Sequence, residues 1–228
     1  MTTDIDVVIP TLNAAAHLGR TFAALSVDRD LRLSLTVCDG GSRDDTQTIA
    51  RARGAVVVQA EVGRGGQLAA GAAAGEAPWL LFLHADTALS PGWAAAARRF
   101  MAEPANAAKA GYFRLRFDST DPRAQRIESL AAWRCRTFGL PYGDQGLLIE
   151  RAFYAEIGGY RALPLMEDVD LVRRIGRQRL VALDAEAITS AGRYERDGWL
   201  ARPMRNLGCL ALYFAGLPPR MIRRLYGS

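Results

Sequence analysis

The feature that most constrains the fold is a regular exchange of short β-rich runs and helical patterns through the first half of the chain. Residues 5–10 (IDVVIP) form the continuous apolar run of a buried strand, and 14–26 carry helical spacing through Leu18, Phe22 and Leu25. Residues 33–38 (LSLTVC) give a second strand, followed by a helix over 44–53. Residues 55–59 (AVVVQ) give a third, then an Ala/Gly-rich helix over 65–74. Residues 79–84 (WLLFLH) give a fourth, and 91–101 a fourth helix. Strands alternating with helices at this pace build βαβ units, so the expected fold class is α/β, with a Rossmann-like, mainly parallel sheet flanked by helices.

After Lys109 the rhythm changes. Residues 111–117 (GYFRLRF) alternate as a half-exposed strand would, and 122–138 read as a helix. A loop (GLPYGDQG), a strand at 147–150 and two more helices follow, with no internal repeat and no low-complexity linker. The expected organisation is one domain over 1–192, its nucleotide-binding half at 1–110 and its acceptor half at 111–192. A basic amphipathic, helical tail takes up 193–228.

Composition bears on class and compartment. Of 228 residues, 50% are hydrophobic and 23% charged, enough apolar surface for one large domain. Asp4 and Asp6 precede or enter the first apolar run, so the N-terminus does not read as a signal peptide. The longest apolar candidate near the end, 207–217, falls short of the ~18–20 residues of a membrane span and stops at Pro218-Pro219. Cys38, Cys135 and Cys209 make neither a disulfide framework nor a zinc pattern, and the expected location is cytoplasmic. The formal charge of +5 belongs to the tail, where seven arginines face only Glu195 and Asp197. A basic tail with interleaved Trp199, Leu207, Leu210, Phe214 and Leu217 argues against nucleic acid as the partner. It fits packing on the core, a dimer contact, or peripheral contact with an anionic membrane.

In a doubly wound sheet, ligands gather at the carboxyl ends of the strands, where strand order reverses. Three such ends carry polar residues: Pro10-Thr11-Leu12-Asn13, then Asp39-Gly40-Gly41-Ser42 with Asp44-Asp45-Thr46, then His84-Ala85-Asp86-Thr87. Taken singly, the Asp39 and His84 segments read first as turns and helix caps. Their occurrence together, at consecutive βα crossings, favours a site in which Asp39 and Asp86 share one crevice.

The acids of Met166-Glu167-Asp168-Val169-Asp170 carry the sharpest expectation. With a helix opening at Pro164, Asp170 has Arg173, Arg174 and Arg177 at i+3, i+4 and i+7, a solvated ion-pair face. Asp168 has Leu171, Val172 and Ile175 at the same offsets and points inward, with Glu167 between. An inward carboxylate costs several kcal/mol unless it is paired or functional. Asp168 is therefore either a buried acid eased by the helix dipole or a general base.

VVIPTLN, VCDGGSRDDT, GRGGQLAAGAAAG and LFLHADT, followed by PYGDQGLLI and MEDVDLVRRI, resemble the family 2 glycosyltransferases of the GT-A fold, over roughly residues 5–192. More narrowly, the chain resembles a bacterial subfamily found near radical-SAM and selenium-related genes, some members of which are labelled arsenosugar-biosynthesis glycosyltransferases. The resemblance implies an inverting transfer from a nucleoside-diphosphate sugar, most often UDP-linked, to an acceptor hydroxyl. It implies donor binding by Pro10, Thr11, Asn13, Asp39, Arg64, Gln67 and Asp86, with Asp39 accepting a hydrogen bond from the base. Asp86 is implied as the ligand of a divalent cation, Mn²⁺ or Mg²⁺, and Asp168 as the general base. Asp144, Gln145 and Glu167 fall on the acceptor side. Where the family has Asp-x-Asp, this chain has His84-Ala85-Asp86, and His84 reads as a structural histidine. Arg193 stands where relatives fold a flexible segment over the diphosphate.

Two rival functions remain on the residues alone. A nucleotidyltransferase shares crevice and metal, but its glycine-rich basic loop after the first strand is absent. A catalytically weak sugar-nucleotide binding protein would not need an inward Asp168.

Overall fold

A computed structural model describes residues 4–26 and 31–226, so residues 1–3 and 27–30 of the 1–192 unit and the last two of the tail lie outside the described residues. The strands are β1 (Ile5–Thr11), β2 (Leu33–Asp39), β3 (Val56–Gln59), β4 (Trp79–Phe82), β5 (Thr87–Leu89), β6 (Ala110–Phe117), β7 (Leu147–Glu150) and β8 (Leu180–Thr189). The helices are α1 (Ala15–Leu25), α2 (Thr46–Ala52), α3 (Arg64–Ala73), α4 (Trp93–Ala102), α5 (Pro122–Phe138), α6 (Arg151–Glu156), α7 (Glu167–Ile175), α8 (Gly192–Asp197), α9 (Ala201–Phe214) and α10 (Pro219–Tyr226).

All eight strands join one sheet in the order β3-β2-β1-β4-β7-β6-β8-β5. The first four pair in parallel, with Ile5 opposite both Leu33 and Trp79. Strand β7 runs antiparallel between β4 and β6, β8 pairs parallel with β6, and β5 closes the far edge antiparallel. The sheet is thus mixed and mostly parallel, as the alternating pattern requires. Strand order reverses at β1, which places a crevice beyond its carboxyl end.

Central β1 is buried along its whole length because helices cover both faces. Side chains alternate across a strand, so Ile5, Val7 and Ile9 pack with Leu18, Phe22 and Trp93 beneath α1 and α4. Val8 enters the opposite cluster with Leu68, Phe82, Phe153 and Leu171 beneath α3, α6 and α7. Each such fully buried side chain contributes about 1.5–3 kcal/mol. Asp6, buried on the Val8 face, is held by Arg151 at 2.5 Å and by the Ala77 N–H at 2.9 Å. Gly71 lets α3 lie directly on β1 and β2, because a Cβ there would run into Val8 and Cys38.

Helix α5 shows local sequence setting its own limits. Asp121 caps it by accepting from the Arg123 N–H at 2.8 Å, Pro122 fills the first position, and Gly139 ends it at φ 61°. Beyond 192, Trp199 packs with Leu115 and Phe117, and Leu210 with Leu140, Val169 and Val172. No described helix is long and apolar enough to cross a membrane. Cys38, Cys135 and Cys209 are free and buried.

Candidate active site

The ends of β1 and β2 are stitched together by side chains. Asp39 is fully buried and accepts from five donors: Thr11 Oγ1 (3.0 Å), Gly41 N–H (3.0 Å), Ser42 N–H (2.8 Å), Ser42 Oγ (2.5 Å) and Gln47 Nε2 (2.8 Å). Burial would raise its pKa, but the hydrogen bonds from Ser42, Gln47 and Thr11 outweigh it and hold the carboxyl below its usual range. A carboxylate has about four acceptor sites, so this one is already filled. Asn13 adopts φ 52°; its Oδ1 accepts from the Arg43 N–H at 2.9 Å while its own N–H donates to Ser42 Oγ at 2.8 Å. Gln67 is buried beneath, its Nε2 donating to Thr11 O (2.8 Å) and Cys38 O (2.7 Å).

Beside these turns lies a cleft of about 190 Å³, walled by His84 and Asp86 after β4, Arg64 at the start of α3, residues 142–144, and Glu167 and Asp168 at the start of α7. Ser190, Arg193, Arg202 and Asn206 close it from the C-terminal side. The cleft brings together Arg64, Asp86, Asp144, Glu167 and Asp168. Pro10, Thr11, Asn13, Asp39, Gln67 and Gln145 are not in its walls.

Asp86 is partly exposed, with Arg193 Nη2 at 4.0 Å. His84, on the same wall, stays neutral near pH 7. Burial and the positive charge of Arg64 lower its pKa to about 4, against the opposing pull of Asp86 and Asp168. Its ring lines the cleft instead of being locked in the core. The turn Gly143–Gln145 crosses directly above, since a Cβ on Gly143 would lie 2.6 Å from His84 Nε2. Gln145 secures this turn from below: its Oε1 accepts from Arg134 Nη2 (3.0 Å), Cys135 Sγ (3.2 Å) and the Tyr142 N–H (3.3 Å), and its Nε2 donates to Phe113 O (3.0 Å). Asp144 lines the cleft. Its Oδ1 is shielded from solvent without a hydrogen-bond partner among the described residues, and burial, opposed by Arg134, raises its pKa to about 6.

Helix α7 corrects three expectations. It opens at Glu167, after Met166 at φ 64°, and not at Pro164. Asp170 is buried, not solvated: it binds Arg174 Nη2 at 2.7 Å and Arg161 Nη1 at 3.2 Å. Arg174 is drawn down to the carbonyls of Ile157 (2.5 Å) and Gly159 (2.6 Å), taking its carboxylate partner with it. Asp168 faces the cleft, not the apolar core. Its Oδ2 accepts from the Gly143 N–H at 2.8 Å and its Oδ1 from the Val169 N–H at 2.8 Å. Glu167 is buried 3.5 Å from Arg64 Nε; burial raises its pKa to about 7, with Arg64 opposing and Asp168 reinforcing the rise.

Sequence reading missed Arg202 and Asn206. They sit at i and i+4 on the inner face of α9, and Arg202 is fixed to Asp197 at 2.7 Å. Their helical spacing was the only available signal, masked by the basic character of the segment.

Among the described residues no three His, Cys, Asp or Glu side chains converge as a metal cage. The donor set suits a hard cation completed by substrate oxygens, with Asp86 the partly exposed carboxylate available to it. Chemically, the site pairs carboxylates able to take a proton with Arg64 and Arg193, which can face an anionic group.

The chain is similar to Staphylococcus aureus TarS residues 1–349, with TM-score 0.64 and 15% identity over 82% of this chain and 60% of that one. It also resembles the same protein in complex with UDP (TM-score 0.61, 15% identity, covering 85% and 63%). A third likeness is to Mycobacterium tuberculosis glucosyl-3-phosphoglycerate synthase in complex with Mn²⁺, UDP and glucosyl-3-phosphoglycerate (TM-score 0.55, 21% identity, covering 79% and 69%). At these identities the likeness shows the fold, and the chain spans only 60% of the TarS segment. No curated protein matches the chain by sequence. The family model described as glycosyl transferase family 2 matches residues 6–162, more than half of the chain, and the chain belongs to that family.

Proposed function

We propose that the chain is an inverting glycosyltransferase that moves a sugar from a nucleoside diphosphate, UDP by preference, to an acceptor hydroxyl. The observation that carries this reading is Asp168, held by the Gly143 N–H in a cleft shared with Arg64, Asp86 and Arg193. The Asp168 carboxylate takes the proton of the acceptor hydroxyl as that oxygen bonds to the anomeric carbon. The bond from that carbon to the diphosphate breaks on the opposite face, its electron pair leaves with the diphosphate, and configuration inverts. Arg64 and Arg193 face the charge that develops on the leaving group.

The turns holding Pro10, Thr11, Asn13 and Asp39 receive the nucleotide, with Gln67 bracing them from beneath. For the base to bond Asp39, one of its five donors must give way, and the side chain of Gln47 is the one on a partly open helix. The likeness to structures that hold UDP supports a uridine donor. A divalent cation, Mn²⁺ or Mg²⁺, would be held by Asp86 with donor oxygens and, when bound, supplies Lewis-acid neutralisation of the diphosphate. Asp144 and Glu167 face the acceptor, and Gln145 acts by fixing the turn that carries Asp144. The cytoplasmic location and the narrower arsenosugar-associated placement belong to the same proposal.

Calorimetry of UDP with and without Mn²⁺, on the native chain and Asp86→Ala, tests it. Tighter binding with metal, lost in Asp86→Ala, is expected. Metal-independent binding of equal strength in both removes the cation from the mechanism.

A further inference from the structure

Helices α5 and α9 each turn a row of large apolar side chains away from the core. On α5 these are Leu130, Trp133 and Phe138, with the Trp133 and Phe138 rings packed edge to face at 5.2 Å. On α9 they are Met204, Leu207 and Phe214, spaced to one stripe of a helix, and every one of the six is half exposed or more. Most of the large apolar side chains exposed among the described residues therefore fall on two helices. The two rows meet at the C-terminal end of α5: an apolar groove of about 520 Å³ runs between Phe138 and Leu140 on one side and Leu207 and Phe214 on the other. A patch of this kind marks a contact surface.

Charge decides what covers it. Arg126 and Arg136 on α5, and Arg173 and Arg177 in the groove wall, are exposed beside these apolar side chains. The Arg173 guanidinium lies 4.8 Å from the Phe214 ring centroid, its positive charge set against the aromatic edge of the apolar row. Helix α9 contains no acid, and the one acid of α5, Glu128, is turned to the Phe117 N–H at 2.8 Å. A two-fold contact with a second copy would set these arginines against their own counterparts. A surface of anionic phospholipid neutralises them while the apolar row enters the acyl boundary.

We propose that the α5–α9 face docks the protein on an anionic phospholipid membrane. The opposite side of α9 carries Arg202 and Asn206 in the wall of the cleft, so docking holds the cleft close to the lipid interface. The inference does not depend on the glycosyl-transfer reading, because its test reads binding alone.

The full chain is sedimented with vesicles of phosphatidylcholine, with and without phosphatidylglycerol, while its mass in solution is followed by light scattering. Binding only to the anionic vesicles, weakened by salt, is expected from a monomer, with a blue shift in tryptophan emission that disappears in Trp133→Phe. Trp133→Ser with Leu207→Ser is expected to lower partitioning about tenfold or more at an unchanged melting temperature. If that variant melts early, Arg126→Glu with Arg136→Glu must give the same loss. No binding to anionic vesicles, binding indifferent to both variants, or a dimer that the serine variant dissociates would each overturn the proposal.

Discussion

Asp170→Asn offers a stability test whose size follows from the structure. The substitution keeps shape but removes the charge that balances Arg174, whose side chain is only 18% exposed. Breaking a buried pair by neutralising one partner costs about 3–5 kcal/mol. Two features reduce the figure here: Arg174 keeps its bonds to Ile157 O and Gly159 O, and Arg161 is 61% exposed, where water screens it. We expect about 2–3 kcal/mol after that discount. For a chain of this size that is a fall of about 5–10 °C in melting temperature. The assay is thermal unfolding followed by circular dichroism, on Asp170→Asn beside Asp168→Asn. Asp168 sits in the cleft with one long-range bond, so its variant is expected to melt within about 2–3 °C of the native chain. Asp168→Asn melting below Asp170→Asn would refute the assignment of α7's buried and cleft-facing acids.

Glu167 and Asp144 make stability depend on pH. Their pKa values are raised from 4.5 to about 7 and from 3.8 to about 6, so the folded state holds protons that the unfolded chain releases earlier. Their contribution is therefore complete at acid pH and lost as pH climbs through those values. The melting temperature of Glu167→Gln, scanned from pH 5 to 8, should fall less steeply than that of the native chain; parallel curves would contradict this. Gln67→Met removes two buried hydrogen bonds and should cost about 1–3 kcal/mol in denaturant unfolding. Gly143→Ala should lower transfer and cost about 1–3 kcal/mol in denaturant unfolding, because its Cβ meets His84 and disturbs the N–H that holds Asp168.

How far the sequence could be read follows from where its signals are local. Helix α5 was legible to the residue because Asp121, Pro122 and Gly139 mark both ends within the segment. Strand β8 was not read, although Leu183, Ala185, Ala187 and Thr189 alternate inward, because small alanines make a faint apolar signal. At the site, the strand ends put Asp39 and Asp86 at one crevice, and the family resemblance added Arg64, Asp144 and Glu167. The cleft gathers Arg64, Asp86, Asp144, Glu167 and Asp168 and leaves Asp39 outside its walls, because the Asp39 carboxylate is turned into the β1–β2 turns. The reading of Asp170 as solvated failed for a non-local reason. Three arginines at helical offsets look like a surface pair until the carbonyls of Ile157 and Gly159, outside the helix, draw Arg174 inward. Likewise, nothing in DGGSRDDT foretells that Gln47 and Thr11 will complete the shell around Asp39.

The central claim is that Asp168 accepts the proton of the acceptor hydroxyl. Its most direct measurement is glycosyl transfer by Asp168→Asn, with UDP affinity determined on the same preparation. The account predicts a loss of about 10²–10⁴-fold in transfer rate with UDP affinity little changed, since Asn keeps the bond from the Gly143 N–H but cannot take a proton. Near-normal transfer by Asp168→Asn would contradict it.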